Sequence, residues 1–167
     1  MPRVAGLNIV AVLAAALAFY AVGMVIYGFT LTQVWGEEML KNHGLLGLGA
    51  TPPTGEALMA EFEKVPGAMD PTMSYIVGFF VTLVTTIGIA LVLKMAKPAS
   101  IVAALGTGFL LWLCFAATGL SYNVVYSMES QVIFGIDLMH TFIAFMLATA
   151  VLFLIDGKAM SGAAMPA

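Results

Sequence analysis

Residues 74–120 read "SYIVGFFVTLVTTIGIALVLKMAKPASIVAALGTGFLLWLCFAATGL". Two apolar runs, 74–93 and 99–120, are parted only by Lys94-Met95-Ala96-Lys97-Pro98. A helix crosses a bilayer with about 20 apolar residues, so each run suffices, and neither contains Pro. A break this short is a tight turn, so the two runs form an antiparallel hairpin of transmembrane helices. Two further runs flank it, 7–32 and 131–155. The first follows Arg3, and Ala16-Leu17-Ala18 mimics a leader-cleavage site. Its apolar stretch continues through Phe29, too long for a leader's apolar core, so a retained helix is expected.

Composition agrees. The chain is 62% hydrophobic and 9% charged, with mean hydropathy +1.04. A soluble domain carries about 25% charged residues, so the expected class is an all-α integral membrane bundle of four transmembrane helices. The net charge is −3 and no basic stripe exists, which excludes nucleic acid as a partner. The single cysteine, Cys114, lies in an apolar run, so no disulfide framework or CxxC motif exists. Twelve methionines suit adaptable packing.

Arg3, Lys94, Lys97 and Lys158 fall at one side of the four-span map, and Lys41 and Lys64 at the other. The Lys/Arg bias places both termini in the cytoplasm. Loop 36–70 is then external, and it carries Glu37, Glu38, Glu56, Glu61, Glu63 and Asp70. Tyr27, Trp35, Tyr75, Tyr122 and Tyr126 all fall near outer helix ends, as an interfacial aromatic belt would. Asp70-Pro71 reads as an N-cap followed by a first-turn proline, and Ser127 or Ser130 is placed to cap the fourth helix.

Within the loop, Glu37 and Lys41 at i, i+4 suggest that helix one continues out of the membrane. After the Gly- and Pro-rich break "GLLGLGATPPTG", residues Leu58, Met59, Phe62 and Val65 line one side of an amphipathic helix. It is either a lid on its own bundle or a docking helix for a partner. Residues 157–167 form a short tail expected to be mobile. Residues 1–156 form one domain.

Helices in lipid associate through small residues and interhelical polar bonds. Ala14, Ala18 and Ala21 supply a small stripe on helix one. Gly78, Thr82, Thr85, Thr86 and Gly88 do so on helix two. Helix three offers Ala103, Ala104, Gly106, Thr107, Gly108, Ala116, Ala117 and Gly119. Their abundance points to an oligomer as well as a bundle.

Asp137 and His140 are the notable ionisable groups inside a predicted span. At i, i+3 they share a face and can touch. An Asp at a helix centre costs about 2.5–3.5 kcal/mol on insertion scales, less near an end or when paired. Two readings stand. The pair faces a water-filled cavity and binds a proton, cation or polar substrate. Alternatively, it is a hydrogen-bonded knot inside the bundle, completed by Asn123, Tyr122 or threonines of helix two. No metal set emerges, because two His and one Cys fall short of the usual ligand count. No catalytic motif and no cofactor-binding motif is present.

The first helix, "LNIVAVLAAALAFYAVGMVIYGFTLTQVW", with Asn8 at its start, Tyr27-Gly28 near its end and then Trp35, resembles a known family. So does "FLLWLCFAATGLSYNVVY", with Trp112 and Asn123, followed by a fourth helix carrying Asp137. The family comprises small four-helix bacterial membrane proteins catalogued as a domain of unknown function, number 1761. The resemblance covers helix one and residues 74–155. It implies fold and a place in the bacterial inner (plasma) membrane, but no activity, cofactor or catalytic residue. For Asn8, Tyr27, Trp35 and Asn123, capping and anchoring are favoured over ligand binding.

The leading functional expectation is a structural or accessory membrane protein, either a homo-oligomer or a small subunit of a larger complex, bathed in lipid. The alternative is a small transporter or channel with its polar site at Asp137, His140 and Asn123. An enzyme ranks last.

Overall fold

The computed structural model of the chain describes residues 2–47, 49–65, 67 and 69–160, with side chains through residue 157. It opens on a two-stranded hairpin, β1 (Arg3–Val4) against β2 (Leu7–Asn8), paired antiparallel. The helices follow as α1 (Ile9–Val25), α2 (Thr32–Asn42), α3 (Glu56–Phe62), α4 (Pro71–Ala96), α5 (Ile101–Leu111), α6 (Thr118–Ser127) and α7 (Gln131–Met160). A π-helical turn at Ile26–Thr30 separates α1 from α2, and another at Trp112–Ala117 joins α5 to α6. Among the described residues, four helical stretches are long and apolar enough to cross a membrane: Ile9–Thr30, Pro71–Ala96, Ile101–Ser127 and Gln131–Gly157.

Local chemistry sets the ends. The Asn8 side chain accepts from the Val10 and Ala11 N–H groups at 3.1 and 3.4 Å, capping α1. Asp70 accepts from Met73 N–H at 3.1 Å, and Pro71 begins α4 at the position where a missing N–H costs nothing. Lys97, at φ 50, closes α4 in the left-handed conformation, and Pro98 stops its continuation. Ser130 accepts from Val132 N–H at 3.2 Å at the start of α7, so of the two candidate serines it is the cap.

Several boundaries move outward. The third span runs to Ser127 rather than 120, because its polar last turns are still helical even though they read as the edge of a loop. Residues 157–160, expected in the tail, continue α7; residues 161–167 lie outside the described set. The N-terminal hairpin was not anticipated. Its two-residue turn, Ala5-Gly6, has φ 51 and 77, the doubly positive pattern of tight hairpins.

The core is built around α1 and α7, with α4 against α1 and α5 against α7. Ala11, Ala15 and Ala16 of α1 and Ala144 and Ala148 of α7 are buried, which lets the two backbones approach. The small stripe of α1 is therefore Ala11/Ala15/Ala16, while Ala14 and Ala18 are half-buried and Ala21 is exposed. From α4, Thr82 and Thr86 turn inward and bury beside Ile89, Ala90 and Leu93. From α5, Ala104 and Gly108 are buried, and a side chain at Gly108 would run into Thr149 of α7.

One end of the bundle is basic. There the Arg3 guanidinium pairs with buried Asp156, and the Lys94 ammonium donates to the Ala5 carbonyl at 2.9 Å, which ties the hairpin under α4 and α7. The other end is acidic. There α3 packs on α2: Leu58 is buried against Gly36, and the Phe62 ring lies 5.5 Å from the Trp35 ring. The amphipathic segment thus covers its own chain, although Met59 is 48% exposed because the helix presents only Leu58 and Phe62 inward. Lys41 pairs with Glu38 at 2.6 Å rather than with Glu37, whose carboxylate accepts from the Gln33 amide at 2.6 Å.

Candidate functional site

Asp137 and His140 lie on α7 within a few turns of its start, and Thr141 follows on an adjacent face. The residue that joins the first two is Tyr27. Its hydroxyl donates to Asp137 Oδ1 at 2.5 Å and lies 3.2 Å from His140 Nδ1. No direct hydrogen bond between Asp137 and His140 occurs among the described residues; the phenol stands between them. Tyr27 belongs to the π-helical turn that ends the first span.

The second π-helical turn supplies the neighbouring contact. Its first residue, Trp112, donates its indole N–H to Thr141 Oγ1 at 3.0 Å. The Thr141 hydroxyl is in turn 2.8 Å from the Asp137 backbone carbonyl. Both π turns therefore aim a polar aromatic side chain at the same stretch of α7. Such turns are rare and concentrate at functional sites.

Aromatic rings extend the cluster in both directions. Toward the acidic end, Tyr27 meets Trp35 edge-on at 5.5 Å, and Trp35 meets Phe62 of α3. Toward the centre, His140 lies 5.0 Å from the Tyr27 ring and 6.2 Å from Phe19, which contacts Phe145. Gly23 faces His140 Nε2, where an added Cβ would stand 3.2 Å from that nitrogen.

Beyond the span, Glu38 lies on α2 and Glu129 just before α7. Burial pushes the Glu129 carboxyl above the usual carboxylate range. The Asp137 charge adds to that rise, against a hydrogen bond with Asn123. Its Oε2 is buried without a hydrogen-bond partner among the described residues. Glu38 is held below that range by hydrogen bonds from Lys41 and then Ser130, whose Oγ is 2.8 Å away.

The remaining predicted residues fall elsewhere. Asn123 is exposed and serves Glu129, not Asp137; its carbonyl also accepts the Glu129 N–H at 3.2 Å, closing α6. Tyr122 stacks on Tyr126 at 5.4 Å, and with Tyr75 both are more than half exposed. The Thr86 hydroxyl donates to the Thr82 carbonyl of its own helix, so α4 adds no partner to Asp137. Tyr27 and Trp35, expected in the belt, join the cluster, Tyr27 through its hydroxyl and Trp35 through its ring contact with Tyr27. Among the described residues no three His, Cys, Asp or Glu side chains converge as metal ligands would. An open groove between the end of the first span and α3, lined by Phe29, Gln33, Leu58 and Glu63 among others, does not include Asp137 or His140.

A family model described as "Protein of unknown function (DUF1761)" matches residues 10–153. No curated protein and no solved structure matches the chain.

Proposed function

The chain belongs to the DUF1761 family, and on that premise we propose that it is a structural or accessory protein of the bacterial inner membrane. It acts as a homo-oligomer or as a small subunit of a larger membrane complex, and not as an enzyme. Both termini lie in the cytoplasm, a reading supported by Arg3, Lys94 and Lys97 gathering at one end of the bundle. The observation that carries it is the internal engagement of the intramembrane polar groups: Asp137 accepts from Tyr27, His140 contacts the same hydroxyl, and Trp35 packs on the Tyr27 ring. Groups so engaged hold helices together. Native mass spectrometry of protein extracted gently from its own membranes tests this. A defined homo-oligomer or a stoichiometric partner supports the reading; a bare monomer under every mild extraction overturns it.

A transport reading has one observation of its own. Glu129 Oε2, at the acidic end, is buried without a hydrogen-bond partner among the described residues, and Glu129 feels the Asp137 charge, as a group handling a cation or proton at that end would. Ion flux into proteoliposomes that is lost in Asp137→Asn, with the fold retained, would favour transport over the accessory role. Absence of flux in both would remove it.

A further inference from the structure

The Tyr27 hydroxyl carries one hydrogen, yet it contacts two groups that can accept one, Asp137 Oδ1 at 2.5 Å and His140 Nδ1 at 3.2 Å. An ionised carboxylate can only accept. The phenol hydrogen therefore goes to Asp137, the shorter contact. The contact with His140 is then made in the opposite sense, with Nδ1–H donated to the phenol oxygen. This arrangement selects the Nδ1–H tautomer of the neutral imidazole and leaves a lone pair on Nε2. Nε2 makes no hydrogen bond among the described residues. It faces Gly23, the one residue type that leaves it uncrowded.

The charge count completes the case. With Asp137 ionised and His140 neutral, the cluster carries one negative charge inside a span, which is penalised there. One proton on Nε2 makes the cluster neutral without breaking any contact: the hydrogen bonds still run from imidazolium to phenol to carboxylate. We propose that Tyr27, Asp137 and His140 form a binding site for a single proton, taken up at His140 Nε2 and balanced by Asp137 through the Tyr27 hydroxyl. The proton bonds to the Nε2 lone pair, and no other bond is made or lost.

The other charged and titratable groups around the site lie toward the acidic end. The segment before α7 contributes Glu129, with one oxygen buried and unpartnered. From α2 come Glu37, Glu38 and Lys41, with Glu38 engaged by Lys41 and Ser130. α6 carries Tyr122 and Tyr126, both exposed; the second π turn carries the exposed Cys114; and the α4 lysine, Lys94, is occupied at the opposite end. Of these groups, Glu129 is the carboxylate that feels the Asp137 charge. This inference goes beyond the accessory reading and does not depend on a partner.

The test uses the full chain in lipid nanodiscs, with His43→Gln as background so that His140 is the single remaining histidine. With 15N-labelled histidine, solid-state NMR reads both ring nitrogens directly. The expected result is an Nδ1–H, bare-Nε2 ring at alkaline pH that becomes doubly protonated as the pH falls. Tyr27→Phe releases the tautomer, so an Nε2–H signal appears in the alkaline spectrum. Asp137→Asn removes the balancing charge, so the doubly protonated ring forms only in more acidic solution than in the parent. An Nε2–H tautomer in the unmodified cluster, or a titration identical in all variants, overturns the proposal. Tyr27→Phe retains the ring packing, so it carries the test where Asp137→Asn does not fold.

Discussion

Tyr27→Phe isolates a single hydroxyl. The phenyl ring keeps its place against Trp35 at 5.5 Å and His140 at 5.0 Å, so packing is conserved. What is lost is the donation to Asp137 and the contact with His140 Nδ1. A half-buried carboxylate and an imidazole N–H are both left without a partner. In soluble cores each stranded group costs about 1–3 kcal/mol. Interhelical hydrogen bonds in membranes are worth less, averaging about 0.6 and reaching about 1.7 kcal/mol, because the unfolded chain in lipid also finds partners. Two such contacts, one to an ionisable acceptor, give an expected loss of about 1–3 kcal/mol. Reversible unfolding in mixed micelles, followed by circular dichroism, measures it. A double-mutant cycle with Asp137→Asn should show coupling of about 0.5–3 kcal/mol, since the two residues are in contact. If Tyr27→Phe changes stability by less than about 0.5 kcal/mol, the ordinary range for an uninvolved surface site, and couples to nothing, the phenol does not hold the cluster.

Arg3→Met leaves Asp156, 6% exposed, without its cation. Breaking a fully buried pair costs about 3–5 kcal/mol; with Arg3 39% exposed, the expected loss is about 1–3 kcal/mol, read as a lowered thermal midpoint that Asp156→Leu partly restores. Gly108→Ala and Gly106→Ala should part in sign: the first meets Thr149 and costs about 1–3 kcal/mol, while the second has open space and gains up to about 1 kcal/mol of helix propensity. The pH dependence of stability also divides. Glu129 is raised in the fold, so the folded state holds its proton more tightly than the unfolded chain. It therefore costs stability as pH rises from the usual carboxylate range through its raised folded value, a cost that Glu129→Gln removes at neutral pH but not in acid. Glu38 is lowered, so its contribution is present above the usual carboxylate range and fades as pH falls through its lower folded value. Stability curves of Glu129→Gln and Glu38→Gln against pH that bend the same way would contradict this.

The spans were legible because their signal is compositional. Residues 74–93 sit within α4, and the hairpin through Lys97-Pro98 is the expected turn. Asn8 and Asp70 announced their helices by the same chemistry that caps them in the fold. Asp137 and His140 stood out as ionisable groups in an apolar run, but their partner did not. Tyr27 is 110 positions from Asp137, and near a span's end a tyrosine has a sufficient explanation as an interfacial anchor. Nothing in a hydrophobic pattern marks a π turn, since one extra residue per turn leaves composition unchanged. The N-terminal hairpin was hidden for a related reason: its strands are two residues each, too short for any alternation to show. The buried face of α1 was misplaced by one position because all its candidate positions are alanine or apolar, so only the neighbouring helices decide which are covered.

Energy argues that the cluster is not there for stability alone. An Asp within a span costs about 2.5–3.5 kcal/mol at the centre and less toward an end, and the Tyr27 bond returns at most a comparable amount. An apolar side chain at position 137 would avoid the desolvation cost altogether, and replacing buried ionic groups by apolar ones is often neutral or stabilising. The first span ends in a π turn that presents Tyr27, and the third breaks into another that presents Trp112, both toward Asp137–Thr141 of one otherwise regular helix. Departures from regular helix at two places, converging on a third helix that carries an acid and a histidine, concentrate local irregularity where function is expected. If stability alone were served, Asp137→Leu combined with Tyr27→Phe and His140→Leu would fold as well as the parent and behave identically in its membrane. On the proton-site reading that triple variant folds, yet no longer takes up the proton that His140 binds.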